Sequence, residues 1–129
     1  MVNAGEIESA GVTAGSGVYF GQGGLLTNQA GALITSSLTS VSLKSTAGTV
    51  TNFGAIIGAT AGTAGEAVYL NAGGMVTNYG VISGARNGNT TNGYLGAVEF
   101  HNTAGTVLNL GTITSPNDSN GVNLLPGGS

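Results

Sequence analysis

The sequence predicts an all-β fold, a right-handed parallel β-helix (β-solenoid) of about five coils of roughly 25 residues, with three short strands each. One Asn recurs at intervals near that length, and the apolar residues around it repeat with the two-residue period of β-strands. The 25 glycines among 129 residues argue against helices, because each one costs about 1 kcal/mol relative to Ala in a helix. Units this short bury their inner faces only by stacking on one another.

The most regular polar feature is one Asn in each predicted coil, which we call the Asn column. Stacked side-chain amides donate to and accept from the coils on either side, so we assign these residues a structural role. A Gly follows two residues after most of them; after Asn28 it comes one residue later, at Gly31, which predicts a bulge. The members are separated by 25, 24, 26 and 31 residues: Asn3, Asn28, Asn52, Asn78 and Asn109.

Apolar residues share the parity of the Asn column, which predicts that they point into the coil. They stand two residues before and four after the Asn, as Val76 and Ile82 do around Asn78. A further strand in each coil has an apolar residue on either side of a central one, as in Val68-Tyr69-Leu70. The central residues are predicted to point outward: Tyr19, Ser42, Tyr69, Glu99 and Asn123.

We expect one β-solenoid domain, residues 1–129, without a linker. The longest connection is 83–96, which contains Arg86 and Tyr94 and accounts for the longest step in the Asn column. A second polar stretch lies at 115–120, where Pro116 ends a strand. Both have the composition of solvated turns.

Composition excludes several classes of function. Only 5% of the residues are charged. Two basic residues cannot form a phosphate-binding surface, so no nucleic-acid partner is expected. No apolar run approaches the roughly 20 residues of a membrane helix, so no membrane insertion is expected. Cysteine is absent, which excludes disulfides and thiolate metal sites. The opening residues lack the basic start and apolar block of a signal peptide, so export would use another route or a segment outside this sequence.

Candidate chemical sites are few. Glu99 and His101 share the outward side of one strand, where a carboxylate and an imidazole could serve as a general base. Glu6 and Glu8 would form a weak cation site without a third ligand. The ordinary interpretation is that both pairs are simply solvated surface residues. We therefore expect a protein that is not an enzyme and that has no catalytic residues, no metal and no cofactor.

Four aromatic residues are candidates for surface contacts. Tyr19 and Tyr69 hold the same outward position in different coils, and Phe53 and Tyr79 each directly follow an Asn of the Asn column. Exposed aromatic rings stack on sugar rings or on a partner protein. The alternative, which we favour, is that they shield neighbouring backbone.

The repeats resemble a known family. Units such as GTVTNFGAIIG (48–58) and GGMVTNYGVISG (73–84) are similar to the passenger repeats of autotransporter-like bacterial surface proteins. The resemblance implies a parallel β-helix that is extracellular or displayed on the bacterial cell surface, often as an adhesin or stalk. It also implies host or matrix glycans or proteins as partners. The outer-membrane barrel and export signal of such proteins are not in this sequence.

The expected function is that of a non-enzymatic structural or adhesive extracellular β-solenoid. Residues 127–129 followed by 1–3 match 73–78 in register, so copies are expected to stack end to end into a fibre, each coil end pairing with another chain. The first alternative is a fragment of a larger autotransporter-type adhesin passenger. A polysaccharide-binding or polysaccharide-degrading β-helix would want clustered charges. Ice binding would want an unbroken Thr-x-Thr ladder, which Met75 and Leu108 interrupt.

Overall fold

The structure, a computed structural model, describes residues 1–10, 15–58, 65–84, 96–115 and 120–129. Its described elements are all β-strands. They are β1 (Val2–Asn3), β2 (Glu6–Ser9), β3 (Val18–Phe20), β4 (Leu25–Asn28), β5 (Leu33–Ser36), β6 (Val41–Leu43), β7 (Gly48–Asn52), β8 (Ala55–Ile57), β9 (Val68–Leu70), β10 (Gly74–Asn78), β11 (Val81–Ser83), β12 (Gly96–Phe100), β13 (Gly105–Asn109), β14 (Thr112–Thr114) and β15 (Asn120–Leu124).

The strands form three five-stranded sheets in which every neighbouring pair is parallel. Sheet A has the order β1-β4-β7-β10-β13, sheet B the order β14-β11-β8-β5-β2, and sheet C the order β15-β12-β9-β6-β3. The chain visits each sheet once per coil and returns to it one strand further along the stack. The predicted β-solenoid of stacked parallel coils with three strands each is therefore confirmed.

Glycine pairs make the corner that leads into sheet A. Gly73 and Gly74 have φ angles of 77° and 129°, and Gly127 and Gly128 repeat the pattern with 92° and 145°. These angles lie in the region that L side chains rarely adopt. The same corner therefore recurs wherever the sequence provides the pair.

The predicted bulge after Asn28 is wrong. Strand pairing aligns Leu33 with Ala55, while Asn28 aligns with Asn52, so the earlier coil carries two extra residues between these points, not one. They lie in a turn between β4 and β5, in which Gly31 has a φ of 79° and the N–H of Ala32 donates to Gln29 O. Both flanking strands keep their register with the following coil. The two extra residues are therefore accommodated entirely in the turn.

The core is a set of apolar columns that run along the stack. Strand pairing places Ile7, Ile34, Ile56, Ile82 and Ile113 in one column of sheet B. The three central members are fully buried, whereas Ile7 and Ile113, in the first and last coils, are partly exposed. Each fully buried side chain of this kind contributes roughly 1.5–3 kcal/mol, so the core depends on a coil being present on both sides.

Three of the residues that were predicted to point outward are buried on the outer side of the coil: Ser42, Glu99 and Asn123. Parity gives the side of the strand but not the exposure of the side chain. Ser42 pairs with Tyr19 on one side and with Tyr69 on the other, so two large side chains cover a small one. Glu99 likewise lies between Tyr69 and Asn123. Exposure on this side of the coil depends on the neighbouring coils.

The interior of the predicted connection 83–96, with Arg86 and Tyr94, and Pro116 in the second polar loop lie outside the described residues. Within the residues that are described, no helix has the length and apolar character needed to cross a membrane.

Candidate functional site

The Asn column forms a continuous hydrogen-bond ladder. Nδ2 of each Asn donates to Oδ1 of the Asn in the next coil, over 2.9 Å at the first step and 2.8 Å at the others. The same Nδ2 also reaches a backbone carbonyl of that next coil, such as Val81 O from Asn52 at 3.0 Å. The side chains thus hold the corner between sheets A and B, as ladders of stacked amides do. The members are Asn3, Asn28, Asn52, Asn78 and Asn109.

The ladder has a direction, because every bond between coils runs from Nδ2 towards the C-terminal end. At that end, Asn109 Nδ2 donates to Gly111 O in its own coil at 3.3 Å. At the other end, Asn3 Oδ1 accepts from the N–H of Gly5 in its own coil at 3.2 Å. Within the described residues, neither atom has a partner in another coil. One end of the stack therefore offers a donor and the other an acceptor.

The first coil ends the stack in a surface that we call the N-terminal face, formed by the free edges of β1, β2 and β3. On β1, the carbonyls of Met1 and Asn3 accept from Thr27 N and Gln29 N of the next coil. Peptide groups alternate direction along a strand, so those of Val2 point away from the stack. The free edge of β1 can therefore pair with another strand.

The last coil ends in the C-terminal face, formed by the edges of β13, β14 and β15. Here the chain has already begun the next strand of sheet A. Gly128 forms a parallel bridge with Gly105. The N–H of Ser129 donates to Gly105 O at 3.1 Å, and Ser129 O accepts from Val107 N at 2.7 Å. Beyond Ser129, the Val107 carbonyl and the Asn109 N–H remain at the open edge of β13.

Apolar side chains are also incompletely covered at the two faces. The partly buried residues that pack against the core all belong to the end coils. They are Ile7 and Phe20 at the N-terminal face, and Val107, Ile113 and Leu124 at the C-terminal face. Each continues a column that is fully buried inside the stack, so covering either face would complete the core there.

A cluster of polar side chains lies on the outer side of sheet C, and we call it the outer cluster: Lys44, Glu66, Tyr69, Glu99 and His101. His101 Nδ1 lies 3.0 Å from Glu99 Oε1, the contact expected from their parity. The ammonium of Lys44 lies 4.3 Å from the centre of the Tyr69 ring, a cation–π distance. Side chains of the outer cluster therefore contact residues of the neighbouring coil as well as residues of their own strand.

Burial dominates the electrostatics of the outer cluster. Glu99 is 3% exposed, and its Oε2 is buried. Burial raises the pKa of the Glu99 carboxyl above its ordinary value; the hydrogen bond with His101 opposes this rise, and the nearby charge of Glu66 adds to it. Burial, followed by the charges of Glu99 and Glu66, also raises the pKa of Tyr69.

Sequence reasoning found the Glu99–His101 pair but missed Lys44 and Glu66. Lys44 stands at the next outward position after Ser42, diagonal to Tyr69, and such diagonal pairs are within reach of long side chains. Glu66 lies before β9, where Oε2 accepts from the Thr39 hydroxyl at 2.7 Å. Within the described residues, no group of three or more His, Cys, Asp or Glu side chains could hold a metal ion.

In the part of the chain that the structure describes, three of the four candidate surface aromatics have a ring or cation neighbour. Phe53 and Tyr79 stack on each other with their ring centres 4.8 Å apart and their planes at 4°. Tyr69 lies between Lys44 and His101, whose ring is 5.8 Å away. A sugar stacks on a ring face, and these contacts occupy such faces. Tyr19, at 63% exposed, is the most open of the four.

Comparison with protein-family models, with curated proteins and with solved structures finds no match to this chain.

Proposed function

We propose that this chain is a non-enzymatic structural β-solenoid module, extracellular or on a bacterial surface, whose copies stack end to end into a fibre. The observation that carries this proposal is that both faces are open sheet edges. Edge strands with unpaired N–H and C=O groups are templates for another chain, and end-to-end contacts that do not close into a ring grow a filament.

The composition of the two faces supports the proposal. The surface of the N-terminal face includes Met1 and Val2, which are 51% and 64% exposed. The partly buried end residues of the apolar columns lie beside Met1 and Val2 on this face, and also on the C-terminal face. Stacking would pair the edges and bury these columns in one step. Burial of apolar surface contributes about 25 cal/mol per Å², so the same contacts that build the coil would build the joint.

The direct test is a concentration series of the purified chain. Multi-angle light scattering should show mass that grows with concentration, and negative-stain images should show unbranched rods of one coil's width. A protein that stays monomeric at high concentration would contradict the proposal. The variant Leu124→Lys, which places a charge on the C-terminal face, should stop growth while circular dichroism still reports the β-fold.

The alternative is that the chain is a fragment of a larger autotransporter-type adhesin passenger, and it rests on the resemblance of units such as 48–58 and 73–84. In such a passenger, neighbouring coils of the same chain would cover the two faces. An adhesive role would use the outer surface, where Tyr19 offers the most open ring. Binding to a glycan panel that is lost in Tyr19→Ser, but not in Tyr79→Ser, would favour it.

A further inference from the structure

The Gly that follows the Asn column by two residues is required by the preceding coil. A Cβ added at Gly54 would overlap Ala32 O, one at Gly80 would overlap Gly54 O, and one at Gly111 would overlap Gly80 O. Gly5 holds the same position in the first coil, and a Cβ there would meet nothing within 4 Å. None of these residues has a positive φ. Within the monomer, nothing in the structure requires glycine at position 5.

We propose that Gly5 and Asn3 form the specificity-determining part of a docking surface for the C-terminal face of a second copy, in a joint that is head to tail. The proposal rests on the proposed end-to-end stacking and adds its polarity and its contacts. Gly111 O of one copy takes the space beside Gly5 of the next. Asn109 Nδ2 of the first donates to Asn3 Oδ1 of the next, which continues the ladder by one step.

The register of this joint follows from the strands on either side. Ser129 ends opposite Thr106, beside Val107, to which it is hydrogen bonded. Inside the stack each Asn of the Asn column is also the strand partner of the next, as Asn78 is of Asn109. The same pairing across the joint places Asn3 opposite Asn109 and Val2 opposite Leu108. The outward peptide groups of Val2 then meet the Val107 carbonyl and the Asn109 N–H. In this register Ser129 and Met1 take consecutive positions along one strand, so the terminal carboxylate and ammonium must move apart from peptide-bond distance to ion-pair distance.

The ladder excludes the symmetric joints. A joint of two N-terminal faces would hold two Asn3 Oδ1 acceptors and no ladder donor, and a joint of two C-terminal faces would hold two Asn109 Nδ2 donors and no ladder acceptor. An unpaired polar group that loses water on association weakens binding. Of these joints, only the head-to-tail one pairs the donor of the ladder with its acceptor, so the donor–acceptor direction inside one chain sets the direction of the fibre.

Gly5→Ala tests the steric part of the joint. The melting temperature of the dilute monomer should not change, because the space is empty. The concentration needed for assembly should rise about tenfold or more, the effect of roughly 1.4 kcal/mol per joint. Ala4→Ser, at the exposed neighbouring position, is the matched control and should assemble like the unmodified chain. Assembly of Gly5→Ala at the unmodified concentration would overturn the proposal.

Disulfide trapping tests the polarity. The chain has no cysteine, so introduced cysteines report without background. Val2 and Leu108 are 64% and 44% exposed, and the joint places them opposite each other at the separation of paired strands, about 4.8 Å, which a disulfide spans. On oxidation, the double variant Val2→Cys, Leu108→Cys should give a covalent ladder, and the two single variants should give heterodimers only when mixed. Homodimers of Val2→Cys alone would show a symmetric joint.

The two proposals fail in different ways. If the unmodified chain never assembles, the proposed stacking is wrong. If it assembles but Gly5→Ala assembles equally well, or if single-cysteine variants form homodimers, stacking stands and the head-to-tail joint is wrong. A covalent ladder together with the weakened Gly5→Ala variant supports both.

Discussion

Asn52 donates a hydrogen bond from Nδ2 to Oδ1 of Asn78 over 2.8 Å, and both side chains are completely buried. Asn78 in turn donates to Asn109 Oδ1 at 2.8 Å and to Thr112 O at 3.0 Å. Each such residue thus joins three successive coils, and its loss affects the coils on both sides.

Asn78→Ala should lower the free energy of unfolding by about 1–3 kcal/mol, because it leaves buried polar partners unsatisfied. Asn109→Ala is the matched control at the exposed end of the ladder and should cost less. Chemical denaturation followed by circular dichroism measures both. Equal losses at the two positions would contradict the role assigned to burial in the ladder.

Ile82→Asp should unfold the central coils, because the carboxylate would lie unpaired in a fully buried column. Val81→Asp is the matched control, since this neighbouring residue is 41% exposed on the other side of the strand. A thermal melt of Val81→Asp should remain close to that of the unmodified chain. A folded Ile82→Asp with an unchanged melt would show that the side chain does not point inward.

Gly80→Ala should destabilise the monomer by about 1–3 kcal/mol, the usual cost of forcing extra volume into a packed interior. The cause is the overlap of the new Cβ with Gly54 O. Gly121→Ala serves as a control, since its Cβ would meet only ordinary contacts, Ile113 O at 3.8 Å being the nearest. Similar melting temperatures for the two variants would refute the close approach of the coils at this corner.

Glu99→Gln should stabilise the fold at neutral and alkaline pH. Burial raises the pKa of Glu99 in the folded state, so the favourable contribution of its protonated form is fully present below the ordinary carboxyl pKa and is lost as pH rises through the raised value. The titratable groups around it are His101, Glu66 and Tyr69. The gain in melting temperature from Glu99→Gln should therefore be largest near pH 8 and vanish near pH 4.

Glu8→Gln, on the exposed side of β2, removes the same charge from a solvated position. It controls for the effect of net charge in the same pH series. If both variants showed the same dependence on pH, burial of Glu99 would not be the cause.

The sequence predicts the architecture well, because each column repeats one residue type at one position of the coil. The Asn column could be aligned from spacing alone, and parity assigned the inward side of each strand. The Ile column could be aligned in the same way except in the second coil, where two extra residues after Asn28 shift its member to Ile34. Exposure of the outward positions could not be predicted in this way. Whether Ser42 or Glu99 meets water depends on the sizes of the side chains stacked above and below, such as Tyr69.

The donor–acceptor direction of the ladder could not be predicted from the sequence either. Every coil contributes the same amide, so spacing does not tell which of Nδ2 and Oδ1 faces which neighbour. Gly5 could be recognised as part of the repeat, but only the structure shows that its space is empty while that of Gly80 is filled. Phe53 stacks on Tyr79 because the two residues hold the same position in neighbouring coils. From the sequence, both rings were candidates for contact with sugars or a partner protein.

Electron cryo-microscopy of filaments formed by the unmodified chain is the most direct test of head-to-tail stacking. Each copy supplies five strands to every sheet, so a continuous solenoid should have an axial rise of about 24 Å per copy, five strand spacings of about 4.8 Å. The filament should be polar, with all copies pointing the same way. Two-fold axes across the filament, a different rise, or protein that remains monomeric would contradict it.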